Sequence, residues 1–231
     1  MSNKRKFSSI NHESKVINPD NSYKIILLGN GGIGKSTLFN YLTNFVDIGC
    51  DKIKYTFTST YNATDDFNRK KIKFNLKNGK EIIITLWDTA GQENTDGAEY
   101  RSDYMKGADG ILLIYDVENP SSKNMIESWL SDIKKIVNNN SVPVAVIGNK
   151  ADKLKSKQQY DNVKIRNSVL KTWYNNSNRI KNFLASFRNQ TSITINEGYF
   201  DTTYTTKRKS CLEGLDYVLS QITGEEIKIS Y

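Results

Sequence analysis

The sequence predicts an α/β fold: a six-stranded, mostly parallel sheet with one antiparallel strand and helices on both faces. Three observations carry that expectation. Apolar runs of strand length recur along the chain, and stretches with a helical 3.6-residue period lie between several of them. The connections have crossover length, which parallel neighbours require and hairpins do not. One glycine-rich turn, Gly29-Asn30-Gly31-Gly32-Ile33-Gly34-Lys35-Ser36, lies between an apolar run and a helical pattern. Strand, turn and helix in that order form a phosphate-cradling unit.

Composition sets the bounds. The 231 residues are 37% hydrophobic and 25% charged, enough for one domain with a real core plus an extension or insert. The formal net charge of +8 is uneven, because residues 150–209 hold 13 Lys/Arg against 4 Asp/Glu. Two cysteines, Cys50 and Cys211, are too few for a disulfide framework and have no metal-ligand spacing. The lone His12 sits in a polar arm, so histidine-based catalysis is not expected. No apolar run approaches the ~18 residues of a membrane span, and the basic start lacks a secretory apolar core. A cytoplasmic location is expected, with peripheral membrane contact as an option.

In chain order, residues 1–22 read as a flexible polar arm, with Lys4-Arg5-Lys6 as a solvated tail in preference to a small targeting or anionic-surface patch. The main domain is expected over 23–224. Lys24–Leu28 is a buried strand, followed by a helix from Lys35 to about Phe45. Residues 47–66 have no helical period and form a long loop just after the phosphate-binding turn, where long loops are usually functional. Arg69–Leu76, the turn Lys77-Asn78-Gly79-Lys80 and Ile82–Trp87 read as a β-hairpin. A helical stretch is expected near Glu99–Lys106, then a strand over Gly110–Tyr115. Pro120 opens a helix whose stripe of Met125, Ile126, Trp129, Leu130, Ile133, Ile136 and Val137 reads as core packing, and Val142–Ile147 is the fifth strand. Residues 153–198 read as a basic helical insert. Val163, Ile165, Val169, Leu170 and Trp173 mark one amphipathic helix, and Ile180, Phe183, Leu184 and Phe187 a second. A short last strand is expected from Gly198-Tyr199-Phe200, then a helix bearing Cys211, Leu215, Val218, Leu219 and Ile222, and a tail over 225–231.

The chemistry gathers at strand ends. In the glycine-rich turn, backbone N–H groups can point inward at phosphate oxygens, helped by the positive end of the helix that follows. Lys35 would reach the β- and γ-phosphates, and the Ser36 hydroxyl would bind Mg²⁺. Asp88, closing an apolar strand, is the expected carboxylate on the Mg²⁺ side. Gly148-Asn149-Lys150-Ala151-Asp152 closes the fifth strand. In an open parallel sheet such ends face one crevice.

The ordered set of phosphate loop, Trp87-Asp88-Thr89-Ala90-Gly91-Gln92-Glu93 and Asn149-Lys150-Ala151-Asp152 resembles the Ras-like small GTPases, and residues 23–154 look most like the Rab and Ran branches. The resemblance implies a P-loop NTPase G domain acting as a GTP-binding switch that hydrolyses GTP to GDP with Mg²⁺. It implies guanine-nucleotide contacts from Gly29, Asn30, Gly31, Gly32, Ile33, Gly34, Lys35, Ser36, Thr37, Gly91, Asn149, Lys150 and Asp152. The Asp152 carboxylate would accept from guanine N1–H and the 2-amino group, a pairing adenine does not offer. Asn149 would approach N7, and the Lys150 stem would lie over the base. Gln92 would orient the attacking water, with Lys35 and Thr64 as its catalytic companions and Gly91 as the γ-phosphate sensor. Metal ligands would be Ser36, Thr64 and Asp88. With Gln92 present, Gly31 in an uncrowded position and no convincing arginine in cis, slow intrinsic turnover aided by a partner arginine is expected. Exchange factors, activating proteins and effectors are the implied protein partners.

The departures matter. Thr64 competes with Thr56, Thr58 and Thr60 for the switch position. Gln92-Glu93 is followed by Asn94-Thr95-Asp96 where relatives carry a basic and an aromatic residue. The loop that contacts guanine O6 is degenerate, with Thr203-Tyr204-Thr205 as the first equivalent and Thr205-Thr206-Lys207 as its rival. The chain as given ends without a cysteine, so prenylation is not expected. Two other readings stay open: a nucleotide-loaded scaffold that scarcely cycles, and a binder of nucleic acid or anionic membrane through the basic segment. A P-loop ATPase or kinase is opposed by Asn149-Lys150-Ala151-Asp152. Replacing Asp152 by Asn should move base preference from guanine toward xanthine, because an amide N–H can pair with the 2-oxo group. Competition between GDP and XDP measures this, and unchanged preference would contradict the role.

Overall fold

A computed structural model describes residues 22–47, 68–75, 81–89, 102–137, 142–175, 178–187 and 209–227. Its strands are β1 (Ser22–Leu28), β2 (Asn68–Asn75), β3 (Glu81–Asp88), β4 (Gly110–Asp116), β5 (Val144–Asn149) and β6 (Ile180–Leu184). Its helices are α1 (Lys35–Asp47), α2 (Pro120–Ile136), α3 (Lys157–Val163), α4 (Asn167–Trp173) and α5 (Lys209–Thr223), with a 3₁₀ turn at Ala151–Lys153.

The six strands form one sheet in the order β2-β3-β1-β4-β5-β6. Only the β2–β3 pair is antiparallel, with Ile72 opposite Ile84 and Phe74 opposite Ile82. The strands β3, β1, β4, β5 and β6 run parallel. Parallel strands covered on both faces must be apolar throughout. Accordingly every residue of β4 and β5 is buried. Leu38 and Leu42 of α1 and Leu215, Val218 and Leu219 of α5 cover one face. Met105, with Ile126, Trp129, Leu130 and Ile133 of α2 and Leu170 of α4, covers the other. Asn119 caps α2 by accepting from the Ser121 N–H, and Pro120 starts it where no N–H is needed.

The six-strand, mostly parallel architecture is as the sequence predicts, but its sixth member differs. Ile180–Leu184, expected as an amphipathic helix, is β6, with Val144 opposite Ile180 and Gly148 opposite Leu184. Ile180, Phe183, Leu184 and Phe187 do fall at helical spacing. The inward residues, however, are Ile180, Asn182 and Leu184. A polar residue inside breaks the alternation that would mark a strand. Asn182 is buried there and donates from Nδ2 to the Val146 carbonyl at 3.2 Å. The strand expected at Gly198-Tyr199-Phe200 lies outside the described residues.

The single helix expected around Val163–Trp173 is two, α3 and α4, separated by Lys164-Ile165-Arg166. Ser156 caps α3 by accepting from the Gln159 N–H. The Asn167 side chain accepts from the Asn182 N–H at 2.9 Å and so fastens α4 to β6. The 3₁₀ turn, α3 and α4 thus belong to the crossover from β5 to β6. The folded body also continues past 224, since Ile227 is 5% exposed and packs into the core.

Close contact between α5 and the sheet leaves no room at Gly110, where an added Cβ would lie 2.2 Å from Val218 Cγ1 and 3.0 Å from Ile25 Cδ1. Gly110→Ala should therefore cost about 1–3 kcal/mol through overpacking. Urea unfolding checks this, and a change below about 0.5 kcal/mol would show that α5 gives way freely.

Candidate functional site

The carboxyl ends of β1, β3, β4 and β5 share one edge of the sheet because these strands are parallel. Beyond β1 the chain turns through Gly29–Gly34 into α1. In the sheet β1 lies between β3 and β4; the chain leaves it through α1 for β2 on one side, and the later strands β4, β5 and β6 add on the other, so the turn lies where strand order reverses. Two glycines are required by geometry. Gly29 has φ 128° and Gly34 has φ 101°, and an added Cβ would lie 2.2 Å from the Ile114 carbonyl oxygen and 2.5 Å from Asn149 Nδ2 respectively. Lys35 is 5% exposed, and its Nζ donates to the carbonyls of Gly29 at 2.5 Å and Asn30 at 3.0 Å. The ammonium is thereby curled over the loop that the helix N-terminus faces. Gly31 and Gly32 are exposed at the loop tip, Ile33 is buried beneath it, and Ser36 and Thr37 open α1 half-buried.

Asp88 stands at the end of β3, opposite Leu27 of β1. The Thr89 hydroxyl donates to the Leu27 carbonyl at 2.8 Å and ties the two strand ends together. Asp88 is fully buried, and neither carboxylate oxygen meets hydrogen-bond geometry with a partner. Burial pushes its pKa up, against the Ser36 hydroxyl and the Lys35 charge, which pull it down. A hydroxyl and a buried carboxylate with unfilled lone pairs suit a hard divalent cation such as Mg²⁺. No cluster of three or more His, Cys, Asp or Glu side chains exists among the described residues. Thr64, Gly91 and Gln92, expected beside Asp88, lie outside the described residues.

At the end of β5, Asn149 is 4% exposed and uses both ends of its amide. Nδ2 donates to the Ile33 carbonyl at 2.7 Å, and Oδ1 accepts from the Phe187 N–H at 3.2 Å. Lys150 adopts a left-handed conformation, φ 64°, which swings the chain into the 3₁₀ turn carrying Asp152. Asp152 Oδ1 accepts from the Ser186 hydroxyl at 2.6 Å. The Ala185 N–H donates to the Gly148 carbonyl at 2.8 Å, and the Ala151 N–H to the Ala185 carbonyl at 3.0 Å. A cavity of about 240 Å³ lies here, lined by Thr37, Glu118, Asn149, Lys150, Asp152, Lys153 and Phe187.

The structure thus brings together Gly29–Thr37, Asp88, Asn149, Lys150 and Asp152. Thr203-Tyr204-Thr205, expected beside Asp152, lie outside the described residues, and the segment found there is Ala185-Ser186-Phe187. Sequence reasoning missed that loop because it took the preceding strand for a helix. It also read Trp129 as core packing alone, whereas its indole Nε1 donates to Asn30 Oδ1 of the phosphate loop at 3.1 Å.

An arrangement with an anion cradle at one end and a carboxylate in a cavity at the other suits a ligand that is anionic at one end and hydrogen-bonding at the other. Comparison with known proteins supplies the class. The sequence model of the Ras family matches residues 24–191, and the chain belongs to that family. Among its similar relatives are Ras-related protein RABD2a of Arabidopsis thaliana, 38% identical over 138 residues that make up 59% of this chain and 61% of the relative. Ras-related protein Rab-4 of Dictyostelium discoideum is 36% identical over 56% of each chain. Ras-related protein Rab-7a of Paramecium octaurelia is 31% identical over 74% of this chain and 75% of the relative. The chain therefore spans about three-fifths of the Arabidopsis protein's length.

The raised pKa of Asp88 has a stability consequence. A carboxyl whose folded pKa exceeds its unfolded value favours the fold while protonated, and that contribution is lost as pH rises through the folded pKa. Above the folded pKa the ionised carboxylate is a net cost, because desolvation outweighs the help of Ser36 and Lys35. Asp88→Asn should raise the Tm of nucleotide-free, metal-free protein by about 2–6 °C. The same variant should lose Mg²⁺-dependent ligand retention. Thermal melts at neutral pH check the first, and a lowered Tm would mean that Asp88 has a partner in the free protein.

Proposed function

We propose that this protein is a GTP-binding switch that hydrolyses GTP slowly to GDP and phosphate, with Mg²⁺, and offers regulatory proteins different surfaces in its two states. The observation that carries the reading is the Asn149 amide. It joins the phosphate loop, through Ile33, to the loop that holds Asp152, through Phe187. One side chain thereby fixes the distance between an anion cradle and a base-selecting carboxylate.

In this reading Asp152, oriented by Ser186, accepts from guanine N1–H and the 2-amino group, and Lys150 lies over the base. For the guanine O6 contact we favour the Ala185–Phe187 loop over Thr203-Tyr204-Thr205, since it lies against Asp152 and reaches Asn149 through its backbone. Gly29–Thr37 hold the phosphates, with Lys35 released from the Gly29 and Asn30 carbonyls to meet them. Ser36, Asp88 and Thr64 would hold Mg²⁺, which would offset the charge that develops on the phosphates. Gln92 orients the water for in-line attack, and Gly91 senses the γ-phosphate. Loss of that phosphate then releases the loops bearing Thr64 and Gly91. The protein's exchange, activating and effector partners act on those loops, and an activating arginine supplied in trans would contribute about 10³–10⁵ in rate.

The test is single-turnover hydrolysis of bound GTP, after the nucleotide carried by the purified protein has been identified. Bound GDP or GTP is expected, with a slow rate that Gln92→Leu lowers by a further tenfold or more, about 1.4 kcal/mol of barrier. Absence of guanine nucleotide would sink the switch, and equal near-zero rates in both proteins would leave binding without catalysis.

A further inference from the structure

Lys150 does not reach the cavity unaided. Its Nζ lies 2.6 Å from Asp116 Oδ2, with the Lys150 side chain 36% exposed and that of Asp116 only 9%. Asp116 closes β4 and stands opposite Asn149 in the β4–β5 register. The other oxygen of its carboxylate, Oδ1, accepts from the Glu118 N–H at 2.9 Å. Its backbone is held as firmly: the Asp116 N–H donates to Ser122 Oγ at 2.9 Å, and the Ser122 hydroxyl lies 3.1 Å from the Asp116 carbonyl. Ser122 is itself 2% exposed in the first turn of α2. The Val117 N–H donates to the Asn149 carbonyl at 3.0 Å, which locks the two strand ends together. The carboxylate is thus a fixed post in a rigid turn, and the lysine is a long chain tethered to it.

The tether has a purpose that fold stability does not require. Ordering a lysine side chain costs rotamer freedom that a partly exposed ion pair seldom more than offsets. Without Asp116 the ammonium would seek water, and the stem would leave the cavity wall. With it, the ammonium is held at the strand edge, and the methylenes are drawn across one side of the cavity that Asp152 also lines. Lys150 has a left-handed backbone, φ 64°, and its side chain ends at Asp116 on the neighbouring strand β4. Neutralisation by Asp116 further lets the stem serve as an apolar surface beside the base.

We propose that Asp116 is a positioning residue for nucleotide retention, acting through Lys150: it sets how slowly the bound nucleotide leaves. This rests on the switch reading of the same cavity. Asp116 touches neither nucleotide nor metal in this account. Its effect falls on the lifetime of the complex, while the choice of base stays with Asp152.

The experiment measures dissociation of a fluorescent GDP from wild type, D116N, K150M and the double variant, alongside thermal melts of the loaded proteins. D116N keeps an acceptor for the Glu118 N–H, and K150M keeps the stem without the charge. D116N should speed release about three- to tenfold at low salt, with unchanged preference for GDP over XDP. In the K150M background the same change should alter the rate less than twofold. Wild-type release should also accelerate at about 1 M salt, where a part-exposed pair is screened, and K150M release should not. This arm needs no Asp116 variant, so it stands if D116N folds poorly. Wild-type rates in D116N, an equal acceleration with and without Lys150, or matching salt responses in wild type and K150M would each overturn the proposal. If wild type holds no GDP, the switch reading falls as well, whereas firm GDP binding with an indifferent Asp116 removes this inference alone.

Discussion

Asn149 is the constraint on which the site depends. Its amide bridges Ile33 in the turn into α1 and Phe187 after β6, segments that meet only because β5 lies between their strands. An amide is the side chain that suits this place, since it donates and accepts from one planar group. Asp or Leu of similar volume would leave a buried carbonyl or N–H unsatisfied, at a cost of about 1–3 kcal/mol each. The cradle's close fit follows from the same contact, because Gly34 must pass within van der Waals reach of the Asn149 side chain. The shape of the glycine-rich turn and the placement of the loop carrying Asp152 are therefore not independent of each other.

Much of this was legible in the sequence. Runs such as Ile25–Leu28 and Ile111–Tyr115 could only be buried parallel strands, and their ends announced the phosphate turn, Asp88 and Asp152. The antiparallel hairpin was legible too, because Ile72, Phe74, Ile82 and Ile84 alternate with polar residues. What failed was β6. Asn182 faces inward and is satisfied by the Val146 carbonyl, a condition that no local pattern can express. A strand of five residues leaves too little period to outvote the helical spacing of Ile180, Phe183, Leu184 and Phe187. Losing the strand meant losing the Ala185–Phe187 loop. Asp116 was hidden differently: its partner is 34 positions away, and only the strand register shows that the two ends touch.

The two short helices α3 and α4 are also held by cations from a neighbouring helix. Lys123 and Lys134 of α2 donate to the carbonyls of Asn162 and Trp173, at the carboxyl ends of α3 and α4. Cations at helix carboxyl ends offset the negative pole there. Lysines on α2 therefore help dock two short helices that would be marginal alone.

Asp88 gives the folded chain an unusual dependence on its surroundings. Burial of the Asp88 carboxylate is a cost carried by the free molecule, only partly offset by Ser36 and Lys35, and a cation-bearing ligand that offsets the rest would bind the folded form and not the unfolded one. By mass action, each tenfold rise in such a ligand above its Kd adds about 1.4 kcal/mol to apparent stability. The amount of intact protein in a cell would then track the supply of that ligand, and starvation for it would register first as turnover of the chain.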